Sequence, residues 1–102
     1  MFGFLFSNSE KTVGEALADK VSKQFPPAIE NKLFKKGAQR RLEAILETLM
    51  QDVRAYKAEH KIGLLGKARI GNAFRWRLAE HGYSEQFVSA LTEGLVHNLA
   101  IK

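Results

Sequence analysis

The sequence predicts an all-α protein, a compact bundle of four to five helices forming one domain over residues 1–102. Three observations carry this. Apolar residues recur at helical spacing through most of the chain, and no alternating stretch long enough for a strand appears. Pro26-Pro27, Gly37, Gly63, Gly66 and Gly82 stand at the joints between the periodic segments. With 102 residues, 45% hydrophobic and 26% charged, the chain is large enough to bury one conventional core.

Taken in order, the chain begins with an apolar arm, residues 1–6. Ser7 and Glu10 then have the spacing of a capping box, with Ser9 as a rival N-cap. The helix they would start carries Val13, Leu17, Val21 and Phe25 as its stripe. Pro26-Pro27 ends it, because a proline disfavours helix in the residue before it and lacks an N–H. Pro27 can open a short helix carrying Ile29, Leu33 and Phe34, and Gly37 closes that segment. A long central helix follows over 38–59. Its buried face holds Leu42, Ile45, Leu46, Leu49, Met50, Val53 and Tyr56, whereas Glu43, Glu47, Gln51 and Arg54 fall away from it.

Residues 61–66 are expected to form a loop. A fourth helix follows over 67–81, with Ile70, Phe74 and Leu78 on one face and Gly82 as its C-cap. Ser84 is the N-cap of the last helix, Tyr83 and Val88 form a hydrophobic staple, and Phe87, Val88, Leu91, Leu95 and Leu99 make the buried stripe. Short connections favour antiparallel neighbours.

Composition narrows the function classes. No cysteine is present, which removes disulfides, thiolate nucleophiles and cysteine-based metal centres, and tilts the expected compartment toward the cytoplasm. The apolar start stops at Ser7, too short for a secretory leader or a membrane span. His60, His81 and His97 lack the i, i+4 spacing of a helical metal site, so no metal or cofactor is expected. Ser84 is better explained as a cap than as a nucleophile, and Ser89 and Thr92 sit inside a helix without a histidine one turn away. The chain is therefore expected to act without chemistry.

Two motif-like stretches fail on inspection. Gly63-Leu64-Leu65-Gly66-Lys67-Ala68 lacks the leading glycine of a phosphate loop, since position 61 is lysine, and has Ala68 where serine or threonine is required. The stretch from Leu78 to Ser89 has the outline of a helix-turn-helix. It is one residue short between Ala79 and Gly82, and its second helix offers Glu85, Gln86 and Glu93 where a groove reader needs cations.

Charge is more informative. The formal net charge is +5, and the excess lies in two blocks free of acidic residues. One holds Lys32, Lys35, Lys36, Arg40 and Arg41; the other holds Lys61, Lys67, Arg69, Arg75 and Arg77. Such blocks are the footprint of a surface that meets phosphates, acidic lipid or an acidic protein, although a solvated basic face would look the same.

Trp76 lies opposite the Ile70–Phe74–Leu78 face. Its size argues for burial beneath a second layer such as the N-terminal arm; if exposed, it is a stacking or anchoring surface. The same reasoning expects the arm, with Phe2, Phe4 and Phe6, to fold back over the bundle. The leading expectation is thus a small basic binding module for an anionic partner, foremost nucleic acid. Lys32, Lys35, Lys36, Arg40, Arg41, Lys67, Arg69, Arg75 and Arg77 would meet phosphates and Trp76 would stack. The alternative is a protein-interaction or self-association domain using Phe2, Phe4, Phe6 and the Trp76 face.

Overall fold

Four α-helices and a short 3-10 segment follow one another, and no strand occurs among the described residues. The structure, a computed structural model, describes the backbone of residues 2–33 and 35–100 and the side chains of 10–33 and 35–100. The helices are α1 (Phe2–Gln24), α2 (Lys36–Glu59), α3 (Leu64–His81) and α4 (Glu85–Ala100), with the 3-10 turn over Pro27–Lys32 between the first two.

The boundaries follow from local chemistry. Pro26 and Pro27 stop α1 and start the 3-10 turn, Pro27 standing at its first position. Gly82, at φ 101°, closes α3 in the left-handed conformation and donates its N–H to the Ala79 carbonyl. Ser84 Oγ accepts the Phe87 N–H at 3.2 Å, the N-cap expected for α4. At the other end of the chain the expectation fails. Helix α1 runs from Phe2, so Ser7 and Ser9 lie within it and residues 2–6 are helix rather than an irregular arm. The side chains of Phe2, Phe4 and Phe6, and all of Phe34, lie outside the described residues.

Each stripe read from the sequence reaches the core. Val21, Phe25, Leu49, Ile70, Phe74, Leu78, Leu95 and Leu99 are almost entirely buried, and Leu42, Leu46, Met50 and Tyr56 pack around them. Phe87 stacks between the rings of Phe25 and Tyr83. The Tyr83 hydroxyl donates to the Phe25 carbonyl. Burial, reinforced by the nearby Glu30, pushes that phenol up to about 12, so it remains a donor.

Contacts fix how the helices are arranged. Glu10 meets Arg69, and Asp19 meets Arg77 and His81, so α1 and α3 run parallel. Between those pairs, Gly14 lets the two backbones approach until a β-carbon there would lie 2.4 Å from the Ile70 carbonyl oxygen. Helix α2 is antiparallel to α1, with Lys20 paired to Asp52 and Lys23 beside Arg41. Helix α4 is antiparallel to α3, Val96 lying over Gly71, and its far end receives a hydrogen bond from Lys57 of α2 at the Asn98 carbonyl. The ring order is therefore α1–α3–α4–α2, with α2 and α3 on opposite corners.

One end of the bundle gathers the end of α1, the start of α2, the end of α3 and the start of α4. The 3-10 segment crosses this end, which is termed the floor below; the opposite end is the apex. Glu30, on that segment, reaches the first turn of α4. Its carboxylate accepts the Ser84 N–H at 2.8 Å and also the Ser84 hydroxyl.

Candidate anion-binding and partner-binding surfaces

The first basic block sits on the floor. Lys32, Lys35, Lys36, Arg40 and Arg41 are all exposed, carried by the end of the 3-10 segment and the first turns of α2. The antiparallel packing of α1 and α2 adds a sixth cation that sequence reasoning missed. Lys23, in the last turn of α1, lines a depression of about 440 Å³ together with Arg41, Ala44 and Thr48. Lys23, Lys32, Lys36, Arg40 and Arg41 make no ion pair among the described residues.

Glu30 explains why this positive field is left uncompensated. It is the one acidic residue between 27 and 42, and its carboxylate is turned to the start of α4. The first turn of α2 also contains no acid and has no side-chain cap, and Gly37 faces open space. Unfilled N–H groups at a helix start favour anions, so backbone and side chains act with the same sign here.

The second block is dispersed and partly neutralised. Arg69 is held by Glu10 at 3.2 Å. Arg77 lies against Asp19 through two hydrogen bonds, of 2.8 and 3.1 Å, and comes within 3.9 Å of Glu80. Lys61 and Lys67 stand near the apex and Arg75 is exposed on α3. The two blocks do not merge. Helix α2, at 24 residues, sets Lys61 about 36 Å from the start of the first block, whereas Arg77, the other end of the second block, lies against Asp19 in the last turns of α3.

Asp19 joins α1 to the last turns of α3, because His81 Nε2 also lies 2.8 Å from it. Hydrogen bonds from Arg77, then from His81, hold this carboxyl below its ordinary value of 3.8. A carboxylate depressed by folding stabilises the protein above its unfolded value and loses that contribution as pH falls through the folded one. In thermal melts below about pH 4, Asp19→Asn is therefore expected to show a shallower acid-induced drop than the parent. An identical drop would mean that the cluster carries no linkage. The effect is expected to be modest, since all three side chains are about one-third exposed.

Trp76 is not buried under a second layer, contrary to expectation. It is 58% exposed, because α1 and α4 pack on either side of α3 and leave the ridge between them open. A groove of about 420 Å³ on the α1 side is lined by Lys11, Glu15, Asn72 and Trp76 among others. A smaller one of about 210 Å³ on the α4 side is lined by Trp76, Tyr83, Val88 and Ser89 among others. The Arg75 guanidinium lies 5.7 Å from the indole centroid. Because α3 is diagonal to α2, this ridge and the start of α2 lie on different sides of the bundle.

No protein-family model matches the chain, and no curated protein or solved structure is significantly similar to it. Among the described residues no three histidine, aspartate or glutamate side chains gather as a metal site, and no helix is long and apolar enough to cross a membrane. The surfaces themselves are what bear on function.

Proposed function

We propose that the protein is a non-enzymatic binding module whose floor engages the phosphate backbone of nucleic acid. The observation that supports this most is the group of cations on the floor, Lys23 at the end of α1, Lys32 at the end of the 3-10 segment, and Lys36, Arg40 and Arg41 at the start of α2, from which the local acid, Glu30, is diverted into capping α4. Five cations without an ion pair among the described residues, on one end of a small domain, form the electrostatic footprint of a polyanion site. Phosphate contacts position a ligand without reading bases, so the recognition is of backbone rather than sequence.

The test uses fluorescent single- and double-stranded DNA and RNA in anisotropy titrations. Lys36→Glu/Arg40→Glu/Arg41→Glu, all on exposed positions, is expected to weaken binding by at least about a hundredfold at low salt, since each phosphate contact adds to a steep electrostatic term. Reversing Lys61, Arg69 and Arg75 instead is expected to cost much less. Equal losses from both triple variants would indicate attraction by net charge alone and overturn the assignment to the floor.

A second reading concerns the Trp76 ridge, where an exposed tryptophan between two grooves has the form of a protein-binding anchor. Trp76→Ala separates the two. It would abolish capture of a protein partner and leave nucleic-acid affinity unchanged.

A further inference from the structure

At the apex, Leu64 and Leu65 open α3 and are 84% and 71% exposed. Two adjacent leucines left this bare cost the protein solvation that neither core nor cap recovers. Helix α1 begins at the same end. Glu10 lies level with the second turn of α3, so the segment from Phe2 to Phe6 reaches past the start of that helix. That leading segment contains Phe2, Phe4, Leu5 and Phe6. The parallel packing of α1 and α3 thus places two helix starts side by side at the apex, where Leu64 and Leu65 are the exposed apolar side chains among the described residues.

The charge around the leucines points to one kind of occupant. Lys61 and Lys67 flank them in sequence, and Lys11 is exposed in the third turn of α1. Glu10 is tied to Arg69, which leaves Glu59 as the acid without an ion pair at this end among the described residues. Two helices begin here and two end here, so their backbone dipoles oppose one another and side chains set the field. A second copy docked apex to apex would bring two cationic rims together. An anionic bilayer satisfies both features at once, since its headgroups attract the lysines while the leucines enter the acyl boundary.

We infer that the apex, with Leu64 and Leu65 at its tip and Lys61 and Lys67 as its rim, is a docking site for an anionic membrane surface. The site is separate from the floor, so a nucleic acid held there and a bilayer held here do not compete for the same residues.

The experiment is flotation of the full chain with phosphatidylcholine vesicles and with phosphatidylcholine–phosphatidylglycerol vesicles. The protein is expected to float with the anionic vesicles and not with the neutral ones. Leu64→Ser/Leu65→Ser is expected to reduce that binding by at least about tenfold, given the apolar area each leucine would bury. Both leucines are exposed, so the variant keeps its helical circular-dichroism spectrum. Arg40→Glu/Arg41→Glu, at the far end, is expected to float like the parent. Undiminished binding of the leucine variant, or loss of binding in the arginine variant alone, overturns the proposal. So does parent protein that ignores anionic vesicles but forms a dimer which the leucine variant abolishes, because the occupant would then be a second copy.

Discussion

Replacing Gly14 by alanine is expected to destabilise the bundle by about 1–3 kcal/mol, even though alanine is the better helix former by about 1 kcal/mol. The added β-carbon would stand 2.4 Å from the Ile70 carbonyl oxygen, 2.8 Å from the Ala73 β-carbon and 3.0 Å from the Phe74 nitrogen. Two of those three atoms are backbone, which no rotamer change can move aside. Relief requires α1 and α3 to separate, and that opens the core around Leu17, Ala18, Ile70 and Phe74. Thermal melting should drop by about 4–8 °C for each kcal/mol lost. Gly94→Ala is the matched control, since nothing lies within 4 Å of that position and the propensity gain should appear undiminished. If both alanines stabilise equally, the helices do not approach as closely as described.

Glu30→Ala is expected to cost about 1–3 kcal/mol, the loss of two hydrogen bonds to a charged acceptor. The residue stands outside every α-helix, yet it completes a relay. The Phe87 N–H is received by Ser84 Oγ, whose own hydrogen goes to the Glu30 carboxylate, while the Ser84 N–H is received by the same carboxylate. Removing Glu30 leaves the cap of α4 half satisfied and releases the 3-10 segment from the floor. Because the residues share one network, Ser84→Ala combined with Glu30→Ala should cost less than the sum of the two single changes. Urea unfolding of the four proteins in this cycle checks it. Strict additivity would mean that the two groups act independently.

These two positions mark where the sequence was legible and where it was not. The stripes of α2, α3 and α4 could be read because each follows one face with little interruption, and Gly82 and Ser84 could be read because a left-handed turn and an N-cap each demand a narrow set of residues. At the start of α1 the local signal and the fold disagree. Ser7 and Glu10 have capping spacing, but a modest local preference does not halt a helix whose preceding residues, Phe4, Leu5 and Phe6, tolerate helical geometry. The special role of Gly14 depends on α1 and α3 being parallel, a tertiary fact with no local signature.

The same division holds for the surfaces. The block Lys32–Arg41 was visible as a run without acids. The addition of Lys23 and the diversion of Glu30 emerge only when α1 folds back against α2 and the 3-10 segment crosses to α4. The second block looked equivalent in sequence and is not, because Glu10 and Asp19, far away along the chain, neutralise Arg69 and Arg77. Trp76 was expected to be covered. Its exposure follows from the ring order, which gives the outer ridge of α3 no neighbour.

The account rests on the floor as a polyanion site, and the salt dependence of binding tests it most directly. Dissociation constants for a single-stranded and a duplex oligonucleotide, measured across a salt series, should give a straight line in log–log form with a slope of about 0.9 per duplex phosphate neutralised and less for the single strand. Changing Arg40 and Arg41 to alanine should lower the duplex slope by about 2, one contact for each residue removed. An unchanged slope, or affinity indifferent to salt, would contradict the account and leave the cations at the start of α2 as solvated surface.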